Sequence, residues 1–147
     1  MSAPLYTIDI LRLAAAIPHQ ARLSDPDASV ERRSPACGSG VAVDVVLSDD
    51  GRVAAFGQEV RACALGQAAA AVLGAHVVGR TAEEIASAHR ELADYLRGTR
   101  ADAGSWPGVR ILEAARPYPA RHASITLAFA AAAEAVAKAG RRQADAA

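Results

Sequence analysis

"VAVDVVLSDDGRVAAFGQEV" (residues 41–60) decides the architecture. Residues 41–48 are β-branched and apolar, Asp49-Asp50-Gly51 is a turn signal, and 52–60 return as a second such run, so the stretch predicts an antiparallel hairpin. Just upstream, "SVERRSP" (29–35) reads as a short edge strand, which makes a meander of two or three strands. Downstream the apolar period becomes helical and stays so. "CALGQAAAAVLGAHVV" (63–78) is apolar nearly all round and predicts a buried helix capped by Gly79. "TAEE" (81–84) matches a capping box, with Thr81 as N-cap and Glu84 three residues on, ahead of an inward stripe of Ile85, Leu92 and Leu96 that Gly98 closes. A short helical piece is expected around 109–115. A final helix follows from about Arg121 to Ala139, with Glu134 and Lys138 as an i,i+4 pair and Gly140 as its cap. Before the strands, Ile8, Leu11 and Leu13 or Ala15 share one face of a short helix that Pro18 ends. The order helix, strands, helices argues for an α+β fold: a small antiparallel three-stranded sheet with helices packed on one face.

Composition bounds the function. A chain of 147 residues that is 52% hydrophobic supports a single domain, expected over residues 1–140 with a polar tail at 141–147. Sixteen basic and sixteen acidic residues cancel, so the long-range field that gathers nucleic acid or an anionic membrane is missing. No basic leader precedes an apolar core, and no run of about 18 uninterrupted apolar residues occurs. The expectation is a cytoplasmic protein, where the two cysteines, Cys37 and Cys63, stay reduced.

Both thiols fall at junctions. Cys37 lies in the turn feeding the first long strand, and Cys63 opens the buried helix, where the positive end of the helix dipole favours negative charge. Taken alone, either residue is as compatible with a small apolar packing role, because their spacing is no metal motif. His19, His76 and His89 read as loop, core or rim residues, whereas His122, near the start of the last helix, is a candidate imidazole ligand. No serine–histidine–aspartate arrangement, nucleophile elbow, phosphate loop or carboxylate pair is present, so a non-enzymatic protein is expected.

Several residues stand together in an order that carries a resemblance: Cys37-Gly38; Gly51 with Val53 and Phe56; Cys63 with Gln67-Ala68; Gly79-Arg80-Thr81 with Glu84; and Pro119, Arg121, Leu127, Ala128 and Phe129 within "PARHASITLAF". In this pattern the chain is similar to the U-type iron–sulfur cluster assembly scaffold family (NifU N-terminal-like, IscU-like) over residues 5 to about 139. The resemblance implies a protein that takes sulfur from a cysteine desulfurase, assembles a cluster and passes it to apo-protein acceptors. It implies a [2Fe–2S] cluster or a single iron or zinc ion, held by Cys37 and Cys63, with Ser39, Ser124 and His122 as the further metal-site positions and Arg121 as the family's basic residue beside the site. Ser124 stands where the family has a third cysteine, and Ser39 where it has an aspartate. A serine hydroxyl is a weak ligand unless deprotonated. Two thiols per chain leave open a cluster shared in a homodimer. They also leave open a metal-free protein-interaction module and a Cys37/Cys63 thiol redox protein.

Overall fold

The computed structural model describes residues 5–35 and 38–146; Cys37 lies outside the described residues. The chain forms α1 (Ile8–Ala15), β1 (Ala28–Arg33), β2 (Gly40–Leu47), β3 (Val53–Arg61), α2 (Ala64–His76), α3 (Ala82–Arg97), a 3₁₀ turn (Val109–Ala115) and α4 (Pro119–Ala146). The three strands make one antiparallel sheet in the order β1-β2-β3, as the meander predicts. Val43 pairs with Val30 on one side and Gln58 on the other, and this register aligns Val41, Val43, Val45 and Leu47 on the inner face. Those side chains are buried beneath α4 and α2, together with Phe56, Leu65, Leu73, Ile125 and Phe129.

α4 carries the middle of the core. By length and composition it is apolar enough to cross a membrane, yet Ile125, Phe129, Ala132 and Val136 are fully buried against the sheet and the other helices. It also runs through Gly140 to Ala146, past the cap expected there. Three polar contacts explain the extension: Lys138 Nζ donates to Ser29 O (3.4 Å), Arg142 to Asp27 O (2.6 Å) and Gln143 to Ser48 O (2.9 Å), which tie the last turns to the strands. Lys138 is therefore not the partner of Glu134, which pairs across to Arg32 on β1 at 3.3 Å.

The N-terminal helix sits on α2 with Ile10 buried and Leu13 partly buried, while Ile8 and Leu11 are 66% and 50% exposed. The inward face is thus rotated from the expected one, because packing on α2 selects Ile10 and Leu13 over the alternative stripe. α3 follows expectation: Thr81 Oγ1 accepts from Glu84 N, Glu84 returns to Thr81 N, and Gly98 adopts the left-handed cap at φ 84°. Gly79, also at positive φ, does not cap α2; its N–H donates to Val53 O and joins the loop to β3.

On the sheet's second face the connection between α1 and β1 wraps around the β3 edge. Gln58 N donates to His19 O, and a Cβ on Gly57 would lie 2.3 Å from Ala21 O, so only glycine lets this strap lie down. Beside Gly57, Asp44 is fully buried and accepts from Arg22 Nε (2.7 Å) and Nη2 (3.0 Å), Leu23 N (2.9 Å) and Ser29 Oγ (2.6 Å). Burial alone would push this carboxyl upward. The bonds from Arg22, Ser29 and the Leu23 amide, with the Arg22 charge, outweigh it and hold the group below the ordinary carboxylate range.

Candidate functional site

Three elements bring three side chains to one point. Cys63 is the N-cap residue of α2, in extended backbone, and its side chain makes no capping bond to the helix. A serine, threonine or aspartate there would engage the free first-turn amides; cysteine leaves its sulfur available. That sulfur lies 3.4 Å from Ser124 Oγ, which projects from the first turns of α4. Ser124 Oγ in turn lies 3.0 Å from Ser39 Oγ, from the turn entering β2. This turn is closed by Ser34 N donating to Ser39 O (2.8 Å) and Gly38 N to Ser34 O (3.0 Å), with Gly38 at φ 69°.

The approach of α4 to α2 at this point depends on Gly66. A Cβ there would lie 2.7 Å from Ser124 Oγ, closer than packed atoms settle, and 3.1 Å from Ser124 O, so one of them would have to shift. Ser39 and Ser124 are 3% and 2% exposed, so the two hydroxyls form the floor of the site, whereas Cys63 is half-buried at its mouth. The mouth is a shallow depression lined by Gly38, Ser39, Val60, Arg61, Cys63 and Gln67.

Of the residues expected to form the site, Ser39, Cys63 and Ser124 come together, and Cys37 lies outside the described residues. His122 does not join them. It lies two residues before Ser124, about 200° around the helix, and its Nε2 is 2.9 Å from Ala115 O, facing the 3₁₀ turn. Arg121 is exposed at the start of α4. His89 is half-buried on α3, where burial and then the charges of Arg32 and Arg90 hold it below the ordinary imidazole range; His76 is exposed. Trp106 and Phe129 pack edge to face at 5.5 Å, and the indole N–H is bonded to Val72 O, so both are packing residues, whereas Tyr118 is exposed.

Among the described residues the donor set is therefore one soft sulfur and two hydrogen-bonded hydroxyls. Among the described residues no group of three histidine, cysteine, aspartate or glutamate side chains could hold a metal ion. Sequence reasoning missed Gly66, although a glycine inside an apolar helix is the usual mark of a close backbone approach. It also missed the Asp44–Arg22 pair, for which the one charge inside an apolar strand was the available signal.

No family model and no curated protein matches the chain. Solved structures do. It is 36% identical to a nitrogen-fixing NifU-like protein (N-terminal) from Brucella abortus, with a TM-score of 0.86, over 93% of this chain and 95% of that one. A proposed iron–sulfur cluster assembly scaffold protein for the SUF system from Fervidobacterium islandicum is 17% identical, with a TM-score of 0.82 over 90% of this chain and 96% of that one, and shows the shared fold. The first similarity, high in identity and spanning nearly the whole of both molecules, establishes that the chain belongs to the NifU-like N-terminal family of U-type scaffold proteins.

Proposed function

We propose that this chain is a non-enzymatic carrier in iron–sulfur cluster assembly, using Cys63, with Cys37 as the second thiol, to accept sulfur or hold a cluster for transfer to apo-proteins. The observation that carries the reading is the meeting of Cys63, Ser124 and Ser39, from three separate elements, at a surface depression where the resemblance puts the family's site. A half-buried thiol at the mouth of an open depression suits handover, because an incoming acceptor reaches the sulfur without the fold opening. A cysteine desulfurase as sulfur source and a cytoplasmic setting belong to the same reading. The SUF-system description of the Fervidobacterium protein supports the assembly role by similarity of fold.

Anaerobic reconstitution of wild type and Cys63→Ala with iron and sulfide tests it. Absorption and bound iron and sulfide should develop in the wild type and fall to background in the variant; equal contents in both overturn the proposal. The competing reading, a metal-free interaction module, is favoured by the hydroxyls at Ser39 and Ser124. It expects neither protein to bind iron.

A further inference from the structure

The outer face of the sheet is only partly covered. Val41, Val43 and Val45 point inward, so by the two-residue period Gly40, Ala42 and Asp44 look the other way, with their cross-strand partners beside them. The strap lies over the row Ser29–Asp44–Gly57, where Arg22 and the Leu23 amide are bonded to Asp44. Two rows beyond it stay open: Glu31–Ala42–Glu59, then Arg33–Gly40–Arg61 next to the turn that enters β2. Each row has alanine or glycine at its centre, which leaves a groove along β2 between walls supplied by β1 and β3. All four charged wall residues are exposed, and none is in an ion pair among the described residues. Arg22 acts on both glutamates through its field, but its guanidinium is bonded to Asp44. Each row therefore sets two like charges about 10 Å apart, two strand spacings, across a residue with no charge to offer.

We propose that this groove is a contact between two copies of the chain, stacked sheet to sheet about a two-fold axis that runs across the strands between the two rows. Such an axis exchanges the rows and keeps β1 over β1 and β3 over β3. Arg33 of one copy then meets Glu31 of the other and Arg61 meets Glu59, and each meeting occurs twice, as a two-fold contact requires. Gly40 faces Ala42, so the centre puts no bulk in the way of close approach. The other two-fold in the plane of the face, along β2, would set Arg33 on Arg61 and Glu31 on Glu59, and like charge opposes it. The pattern is matched row for row by its own rotated image, which is what makes a second copy the fitting partner. The zero net charge of the chain adds no overall repulsion. Pairs this exposed are weak and two rows are a small area, so the association is transient and sensitive to salt. Because the axis crosses the strands, the Cys63 ends of the two copies point in opposite directions and each copy keeps its own site. Nothing in the contact depends on what that site holds.

Sedimentation equilibrium of the full chain, kept reduced, tests the contact at about 20 mM and about 500 mM salt, between which the screening length falls about fivefold. The wild type should dimerise reversibly at low salt and dissociate at high salt. Arg33→Glu turns two attractive meetings into like-charge ones and should raise the dissociation constant about tenfold or more. The swap Glu31→Arg/Arg33→Glu keeps the composition and net charge of the wild type and restores opposite signs at the same meetings. It should recover the wild-type constant, and that recovery shows that Arg33→Glu acted on pairing and not on folding. Cys63→Ala should dimerise as the wild type does. A wild type still monomeric at about 1 mM protein overturns the proposal. So does an Arg33→Glu variant that associates unchanged, a swap that stays as weak as Arg33→Glu, or a dimer that resists salt or requires Cys63. None of these outcomes touches the carrier reading, which the iron and sulfide contents decide separately.

Discussion

Gly66 of α2 faces Ser124 of α4 so closely that a methyl group on the glycine would sit 2.7 Å from the serine hydroxyl. The contact sets the spacing of the two helices that carry the site, because Cys63 caps the start of one and Ser124 lies in the second turn of the other. Gly66→Ala gives it a decisive sign. Helix propensity alone would make the substitution stabilising by roughly 1 kcal/mol. Overpacking should instead destabilise by about 1–3 kcal/mol. Denaturant unfolding distinguishes them, and a stabilised variant would refute the close contact.

Asp44 makes stability acid-sensitive. Its carboxyl is held below the ordinary range in the folded protein, so the unfolded chain binds more protons as the pH drops. The stabilisation is complete above the unfolded value of about 4 and is lost as pH falls through the lower folded value. Asp44→Asn should cost about 2–3 kcal/mol at neutral pH, less than a wholly buried pair because the Arg22 side chain is 39% exposed. The variant should also show a flatter stability profile below about pH 4. Urea midpoints across the acid range check both points.

Thr81 and Glu84 satisfy each other's backbone amides at the start of α3. Thr81→Ala should cost about 1 kcal/mol, with amide exchange accelerated in the first turn of α3 and unchanged in the β2–β3 hairpin. Uniform acceleration throughout would show that the cap is not a local device.

His122 separates the packing role from the ligand role. With its Nε2 on Ala115 O, His122→Ala should lower stability by about 1 kcal/mol. Reconstituted iron content should match the wild type. A loss of iron without loss of stability would return this histidine to the site.

The fold was readable because its signals are local. The β-branched run of 41–48 ending in Asp49-Asp50-Gly51, the box Thr81–Glu84 and the cap Gly98 each act within a few residues, and each appears as expected. Where several faces or ends were locally equivalent, the reading failed. Ile8 and Leu11 form as good a stripe on paper as Ile10 and Leu13, and Gly140 is as good a stop signal as Gly98. The choice in each case came from contacts with distant residues: the surface of α2 in the first, and Asp27, Ser29 and Ser48 in the second.

The amino-acid order by itself determined the strand–turn–strand core, the helical run behind it, the supply of two thiols and the hydroxyls at positions 39 and 124. Only the tertiary structure decided that Ser39, Cys63 and Ser124 share one site, that His122 looks elsewhere, and that Gly66 is what lets two helices meet there. The reason is geometric: dihedral preference and side-chain period operate along a few residues, whereas the site joins positions 85 and 61 residues apart whose meeting depends on how closely packed helices and strands seat against each other.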